Sequence, residues 1–416
     1  MVVALIAGCS STDSETAVTT STTGVAGNGV MDGYASDVDA LSPLVITTLA
    51  PDPIPFTGTD GKVHVAYELS VLNYSPREAT VTRLQTLEGG PEGDVMAVVE
   101  GDALAERTMV LAGPAGGPIP AGATGVLIVD DVYDDLVDVP ASFTHRLDAA
   151  FGPLAPEAEA QAGLFPGDPT SIIGGPVTTS AESPVVIGPP LEGADWLAGS
   201  GCCDMGTHRS VMLPIGGRVN GAERFAVDWF KVDMTLDPAA QADLAATGLS
   251  PTFRGDPTDN EDYLAYGERV LAVADGTVVA VVSDTADSAP GVLPTGLDIA
   301  GMSGNYVSID IGDGVYAFSA HLSPGSPTVK VGDKVTRGQI IGAVGNTGNS
   351  AEVHLHFQLQ RTPTQALGDN VPFEIDAFTF AGTFGLATGF AADPDAGART
   401  DQAPLIWSVV DFPDAP

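Results

Sequence analysis

Positive charge is scarce in this chain. Only 16 Lys and Arg stand against 54 Asp and Glu among 416 residues, a formal charge of -38. A surface field of that sign repels nucleic acid and anionic lipid head groups, so no nucleic-acid partner is expected. The acidity is spread along the chain, not gathered in one tail, which fits a solubilising or salt-adapted surface. Aromatic residues make up only 6%, whereas 50 Gly and 32 Pro favour many short strands and turns over long helices. A mainly β chain of about two to three domains is expected. The three cysteines, Cys9, Cys202 and Cys203, are too few for a disulfide framework and need separate explanations.

Long apolar runs are missing as well. The stretch from Met1 to Gly8 falls far below the ~18 residues needed to span a bilayer. Ile6-Ala7-Gly8-Cys9, followed by the polar Ser10-Ser11-Thr12-Asp13-Ser14, resembles the lipobox of bacterial lipoproteins. That resemblance implies lipidation at Cys9 and an exported protein held at the membrane surface of the cell envelope by its N-terminal lipid. The positively charged opening of a signal peptide is missing, so the natural start is expected upstream. Residues 1–9 then read as a signal remnant. Residues 10–43, rich in Ser, Thr, Gly and Asp, read as a flexible tether that cannot bury enough apolar surface to offset the entropy of ordering.

From Lys62 the pattern changes to short β-branched runs, among them His64 to Leu72, Ala79 to Leu84 and Gly125 to Val129. Separated by Gly, Pro and Asn turns, they predict an antiparallel β-sandwich over residues 45–152. No catalytic cluster accompanies them, so His64 and His145 are assigned structural roles and the sandwich is expected to be independent of catalysis. Residues 153–200, rich in Pro and Gly, read as a connector. Strand signals become dense in 201–365, with Pro238 to Thr247 the best helix candidate. Residues 366–416 read as a Gly-, Ala- and Asp-rich tail to which no function is assigned.

His354-Leu355-His356-Phe357 lies within a predicted strand. Alternate residues of a strand share a face, so both imidazoles point one way while Leu355 and Phe357 point into the core. Two neutral imidazoles suit a zinc site, in which three protein ligands leave a fourth position for water. Upstream, in fixed order, stand Ala272 to Val278, Gly304-Asn305, Ala320-His321-Leu322, Val331-Gly332-Asp333, Gly338 to Gly342, and Gly345-Asn346-Thr347-Gly348. Together these resemble the lysostaphin-type (LytM-like) zinc metalloendopeptidases over about residues 267 to 360. The resemblance implies a compact antiparallel β domain with a groove, one Zn²⁺ ion, and hydrolysis of peptide bonds in peptidoglycan. It implies His356 as a metal ligand, and His321 and His354 as the pair beside the scissile carbonyl.

The family's other two ligands form an HxxxD element, and here Arg224-Phe225-Ala226-Val227-Asp228 stands in its place. Asp228 matches the carboxylate, but a guanidinium has no lone pair to give a metal. Three arrangements follow. His208 fills the gap if residues 207–213 and 222–228 form a hairpin turning near Gly217, giving His208, Asp228 and His356 as ligands. Alternatively Arg224, on the same strand face as Asp228, pairs with it in a metal-free groove, or the site keeps two ligands or is otherwise rebuilt. Side chains of adjacent residues diverge, so Cys202 and Cys203 are expected to form a vicinal disulfide or buried thiols and not to share a metal. The leading function is zinc-dependent endopeptidase; the alternative is a catalytically impaired module that binds peptidoglycan or regulates a cell-wall amidase.

Overall fold

The computed structural model describes residues 41–415, apart from 51, 112–115, 162, 166–169 and 365–367; Cys9 and nearly all of the expected tether lie outside the described residues. Two antiparallel sheets face each other at the N-terminal end. In the first, Val63–Asn73 pairs with Leu44–Thr48 on one edge and Thr124–Tyr133 on the other, and Thr108–Val110 follows. The second runs Val95–Glu100, Ala79–Glu88, Ser142–Phe151, Thr170–Thr178. Two-residue alternation turns Val65, Tyr67, Leu69 and Val71 inward against Leu84, Phe143, Leu147 and Ala149.

The sandwich runs past residue 152, because Thr170–Thr178, read from sequence as connector, is its last strand. The apolar alternation there is broken by Gly174 and Gly175, which explains the weak sequence signal. Both glycines lie against Ile46, where an added Cβ would come within 3.0 Å and 2.9 Å of its side chain.

The outward face of Val63–Asn73 is buried too. His64, Ala66 and Glu68, which alternation should leave in solvent, are covered by the C-terminal body. That body is built on an 11-stranded sheet. Its middle runs Tyr306–Gly312, Val315–Ala320, Leu355–Gln360, Val227–Lys231, Gly193–Gly199, Ser408–Phe412 and Phe378–Gly385, so segments read as connector and tail complete the sheet that carries the paired histidines. Trp196, Trp229, Ile309, Leu355 and Phe357 fill its core. In the tail, Phe378, Phe380 and Phe384 alternate buried with exposed Thr379 and Thr383, a period-two signal hidden by the surrounding Gly and Ala. The expected helix forms over Pro238–Ala245, with Pro238 in the first turn and the Asp237 side chain accepting from Ala240 N at 2.9 Å. Among the described residues no helix is long and apolar enough to cross a membrane.

Candidate metal centre and groove

Strand register builds the centre. Leu355–Gln360 lies between Val227–Lys231 and Val315–Ala320, with His356 opposite Asp228 on one side and Ala320 on the other. His321 therefore leaves the sheet beside His356, and the His354 and His321 rings come to 4.9 Å between centroids. Leu355 and Phe357 are fully buried behind them, as the alternation requires.

His208 arrives from a short turn, His208–Ser210, before the hairpin of Met212–Ile215 and Arg218–Gly221. That hairpin turns at Gly216 and Gly217, both at positive φ. His208 Nδ1 donates to Ala226 O at 3.0 Å, which leaves Nε2 at 3.2 Å from Asp228 Oδ2. His356 donates from Nε2 to Gln358 Oε1 at 3.0 Å and turns Nδ1 to Asp228 Oδ1 at 3.1 Å. His354 donates from Nδ1 to Glu352 O at 2.7 Å and places Nε2 at 3.2 Å from the same Asp228 oxygen. Candidate ligand atoms of His208, Asp228 and His356 all lie within 4.8 Å of one another. Ligand atoms around a tetrahedral zinc ion are about 3.4 Å apart. The donor set fits that ion: two imidazoles have one nitrogen committed to a protein acceptor and the other directed at a buried carboxylate.

Electrostatics reinforce the arrangement. Burial alone would favour a neutral Asp228, yet the His208 and His354 rings hold its carboxyl well below the ordinary range. Burial likewise opposes charge on His208, but Asp228 and then Glu223 raise it to about 9. His321 goes the other way, driven well down by burial and then by the His354 and His356 rings. The centre is thus built to hold positive charge beside Asp228 and a neutral imidazole at its rim.

His321 is positioned by the glycine-rich segments. Its Nδ1 donates to Thr347 O at 2.7 Å, leaving Nε2 free of that bond, and its own backbone sits at φ 60°. Thr347 Oγ1 donates to Leu322 O at 3.0 Å and accepts from Asn305 N at 2.8 Å. Gly304 and Gly348 allow these loops to touch: a Cβ on Gly304 would lie 2.4 Å from the Thr347 carbonyl carbon, and one on Gly348 2.3 Å from Gly304 N. The motif glycines are the mould for one histidine.

Arg224 does not approach Asp228. The strand begins only at Val227, and residues 222–225 form a turn, with Ala226 N donating to Glu223 O at 3.0 Å. Same-face periodicity therefore fails, and Arg224 turns away to Glu68 of the sandwich, Nε to Oε1 at 2.8 Å and Nη2 to Oε2 at 2.5 Å. Cys202 and Cys203 form a vicinal disulfide, S–S 2.07 Å. Cys203 lies near His64 and Asp130, but its sulfur is committed and offers no thiolate to a metal. His64 pairs with Asp130 at 2.9 Å and with Asp60, carboxylates that sequence reading did not attach to it. Sequence reasoning also missed Gln358 and Glu68. Gln358 follows His356 by two on the same strand face and was findable; Glu68 lies 156 residues from Arg224 and gave no signal.

The histidines open onto a cleft of about 530 Å³. Val211, Leu213, Leu297, Ile299 and Met302 supply apolar lining, and Glu223, Asp298 and Glu352 add carboxylates; among the described residues no Lys or Arg lines it.

Residues 262–367 match the model of Peptidase family M23, a span that holds His321, His354 and His356 while His208, Arg224 and Asp228 precede it. Peptidoglycan DD-endopeptidase ShyA of Vibrio cholerae serotype O1 is 43% identical over 72 residues, 17% of this chain and 16% of that protein. The chain therefore matches about a sixth of that relative's length. Among solved structures, the catalytic domain of lysostaphin from Staphylococcus simulans is 23% identical over 42% of this chain and 88% of that one, with a TM-score of 0.23. A zinc-containing peptidase from Vibrio cholerae is 15% identical over 76% of this chain and 85% of that one, with a TM-score of 0.24. The glycine mould around His321 and the strand bearing His354 and His356 thus lie within the segment, residues 262–367, that matches Peptidase family M23, the lysostaphin family.

Proposed function

We propose that the protein is a zinc-dependent endopeptidase that hydrolyses peptide bonds of bacterial peptidoglycan, acting in the cell envelope from an anchor at Cys9. The observation that carries this reading is the convergence of His208, Asp228 and His356, with His321 and His354 on the rim of the same cleft. The shared segment with a peptidoglycan DD-endopeptidase supports the substrate class.

A zinc ion held by His208, Asp228 and His356 would supply Lewis acidity toward water and a carbonyl oxygen. The chain's own part is proton handling and orientation. His321, with Nδ1 fixed as a donor to Thr347 O, presents Nε2 as an acceptor suited to take a proton from the attacking water. His354, whose protonation Asp228 favours against the cost of burial, is suited to donate toward the developing oxyanion or the leaving amine. The cleft's carboxylates and its lack of cations favour peptides that carry free ammonium groups.

The alternative, an impaired module that binds peptidoglycan or regulates an amidase, drew on Arg224 competing for Asp228. With Arg224 engaged by Glu68, Asp228 is left to the histidines.

Zinc content and muropeptide cleavage test the reading together. The wild type should bind one equivalent, and His208→Ala, Asp228→Ala and His356→Ala should each lose most of it. His321→Ala and His354→Ala should keep zinc while cleavage falls roughly 10²- to 10⁴-fold. A wild type that is folded, free of zinc affinity and inert toward muropeptides overturns the proposal.

A further inference from the structure

We propose that Glu68, a residue of the N-terminal sandwich, is a positioning residue for the metal centre, fixing the two segments that carry His208 and Asp228. The inference rests on those two residues being metal ligands.

Glu68 is fully buried, a place where a carboxylate persists only if it is paired. Its partners are two guanidiniums of the C-terminal body. Arg224 forks onto both oxygens, and Arg209 Nη2 stands 3.4 Å from Oε1. Arg209 adjoins His208 in sequence, and Arg224 sits in the turn that leads directly into Asp228. One carboxylate therefore grips both ligand-bearing segments, and neither it nor the two guanidiniums line the cleft.

No long strand pairing holds residues 200–211. Within the C-terminal body the segment is tied by single bonds: His208 Nδ1 to Ala226 O at 3.0 Å, Ala222 N to Val211 O at 3.2 Å and Ile406 N to Cys202 O at 2.8 Å. Across to the sandwich, by contrast, Arg209 Nη2 also donates to Tyr67 O at 3.1 Å and Val129 O at 3.2 Å, on two neighbouring strands. These are charge-assisted bonds, about twice as strong as neutral ones. Around them Phe56 and Ala66 of the sandwich pack on Cys202, Cys203 and Phe225, so water is kept from the charges. Arg224, at the position where the resemblance implies a histidine ligand, is bound instead to the sandwich.

The test uses the full chain and two variants, Glu68→Gln and Glu68→Asp. The first keeps the shape and loses the charge; the second keeps the charge and withdraws it by one methylene. Zinc affinity is measured by competition with a chelator, and the visible spectrum of the cobalt-loaded protein reports ligand geometry independently of activity. Outer-shell losses typically weaken metal binding 10- to 100-fold, and that range is expected for Glu68→Gln, with a changed cobalt spectrum and a fold intact by circular dichroism. If Glu68→Gln does not fold, Glu68→Asp, which keeps the two guanidiniums compensated, must show the same direction of change. A folded variant with wild-type zinc affinity and an unchanged cobalt spectrum overturns the inference while leaving the zinc site standing. Wild-type zinc binding that survives His208→Ala would instead remove the reading on which it rests, and the inference with it.

Discussion

Tyr67 has one hydroxyl proton and two buried groups within reach of it. Its Oη lies 2.7 Å from Asp131 Oδ2 and 2.7 Å from His145 Nε2. His145 Nδ1 faces Gly175 O at 2.7 Å, and a carbonyl only accepts, so Nδ1 carries a proton. Burial lowers His145 to about 4, so the ring is neutral at pH 7 and its Nε2 is an acceptor. With Asp131 ionised the Tyr67 hydroxyl donates to Oδ2; once Asp131 is protonated its carboxyl can donate to Tyr67 and free the hydroxyl proton for His145 Nε2. Burial raises Asp131 from 3.8 to about 6. Because the folded value is the higher one, the associated stability is present below about pH 4 and is lost as pH rises through about 6. Two units correspond to about 3 kcal/mol. Asp131→Asn donates to Tyr67 at every pH and removes this dependence. Urea unfolding of both proteins between about pH 4 and pH 8 should show the wild type losing about 3 kcal/mol relative to the variant across that window. A difference that stays flat with pH would refute the upward shift of Asp131.

At the scale of elements, the centre depends on loops that touch without side chains between them. A Cβ on Gly348 would meet backbone atoms, Gly304 N at 2.3 Å and Met302 O at 2.6 Å, and its φ is +75°. Backbone cannot swing aside as a side-chain end does, so Gly348→Ala should push the Thr347 carbonyl away from His321. Positive-φ strain and the clash together should cost about 1–3 kcal/mol. Muropeptide cleavage should fall at least tenfold while zinc stays bound, since Asp228 and His356 sit on other strands. Gly314→Ala, also at φ +70° but with open space around it, isolates the strain from the clash and should retain activity. These glycines, the paired histidines and the side-by-side strands were legible in sequence because each follows a local rule: period two, or a spacing that closes a turn. A hairpin turning at Gly216 and Gly217 was legible by the same means, but its ladder holds only Met212–Ile215 and Arg218–Gly221, not residues 207–213 and 222–228; His208 lies in a turn outside it and reaches Ala226 O through its ring. Arg224 was misplaced because the rule was applied one turn too far, where the strand had not begun. Thr170–Thr178 was missed because glycines interrupt its alternation.

At the scale of the whole molecule, the contact between the two bodies left no trace in sequence, since pairing across 156 residues has no local period. The strand Val63–Asn73 did hold a clue, a Glu and two other outward residues inside an otherwise apolar run, but a solvent-facing sheet reads the same way. The consequence runs against an independent sandwich. A fragment of residues 181–416 would uncover Arg209 and Arg224, deprive both of Glu68, and expose Cys202, Cys203, Phe225 and Leu405 where Phe56 and Ala66 now cover them. Two guanidiniums are easily rehydrated, so the fragment need not unfold, but the apolar patch would favour association. The segment carrying His208 would lose its two-strand anchor. The fragment is therefore expected to bind a hydrophobic dye, to hold zinc at least tenfold more weakly than the full chain, and to cleave soluble muropeptides poorly. Adding residues 41–180 as a separate chain should restore part of the zinc affinity, because the pairing surfaces are preformed on the sandwich. A monodisperse fragment with full zinc affinity and full turnover on small muropeptides would show that the sandwich is dispensable, and that the buried ion triad serves docking alone.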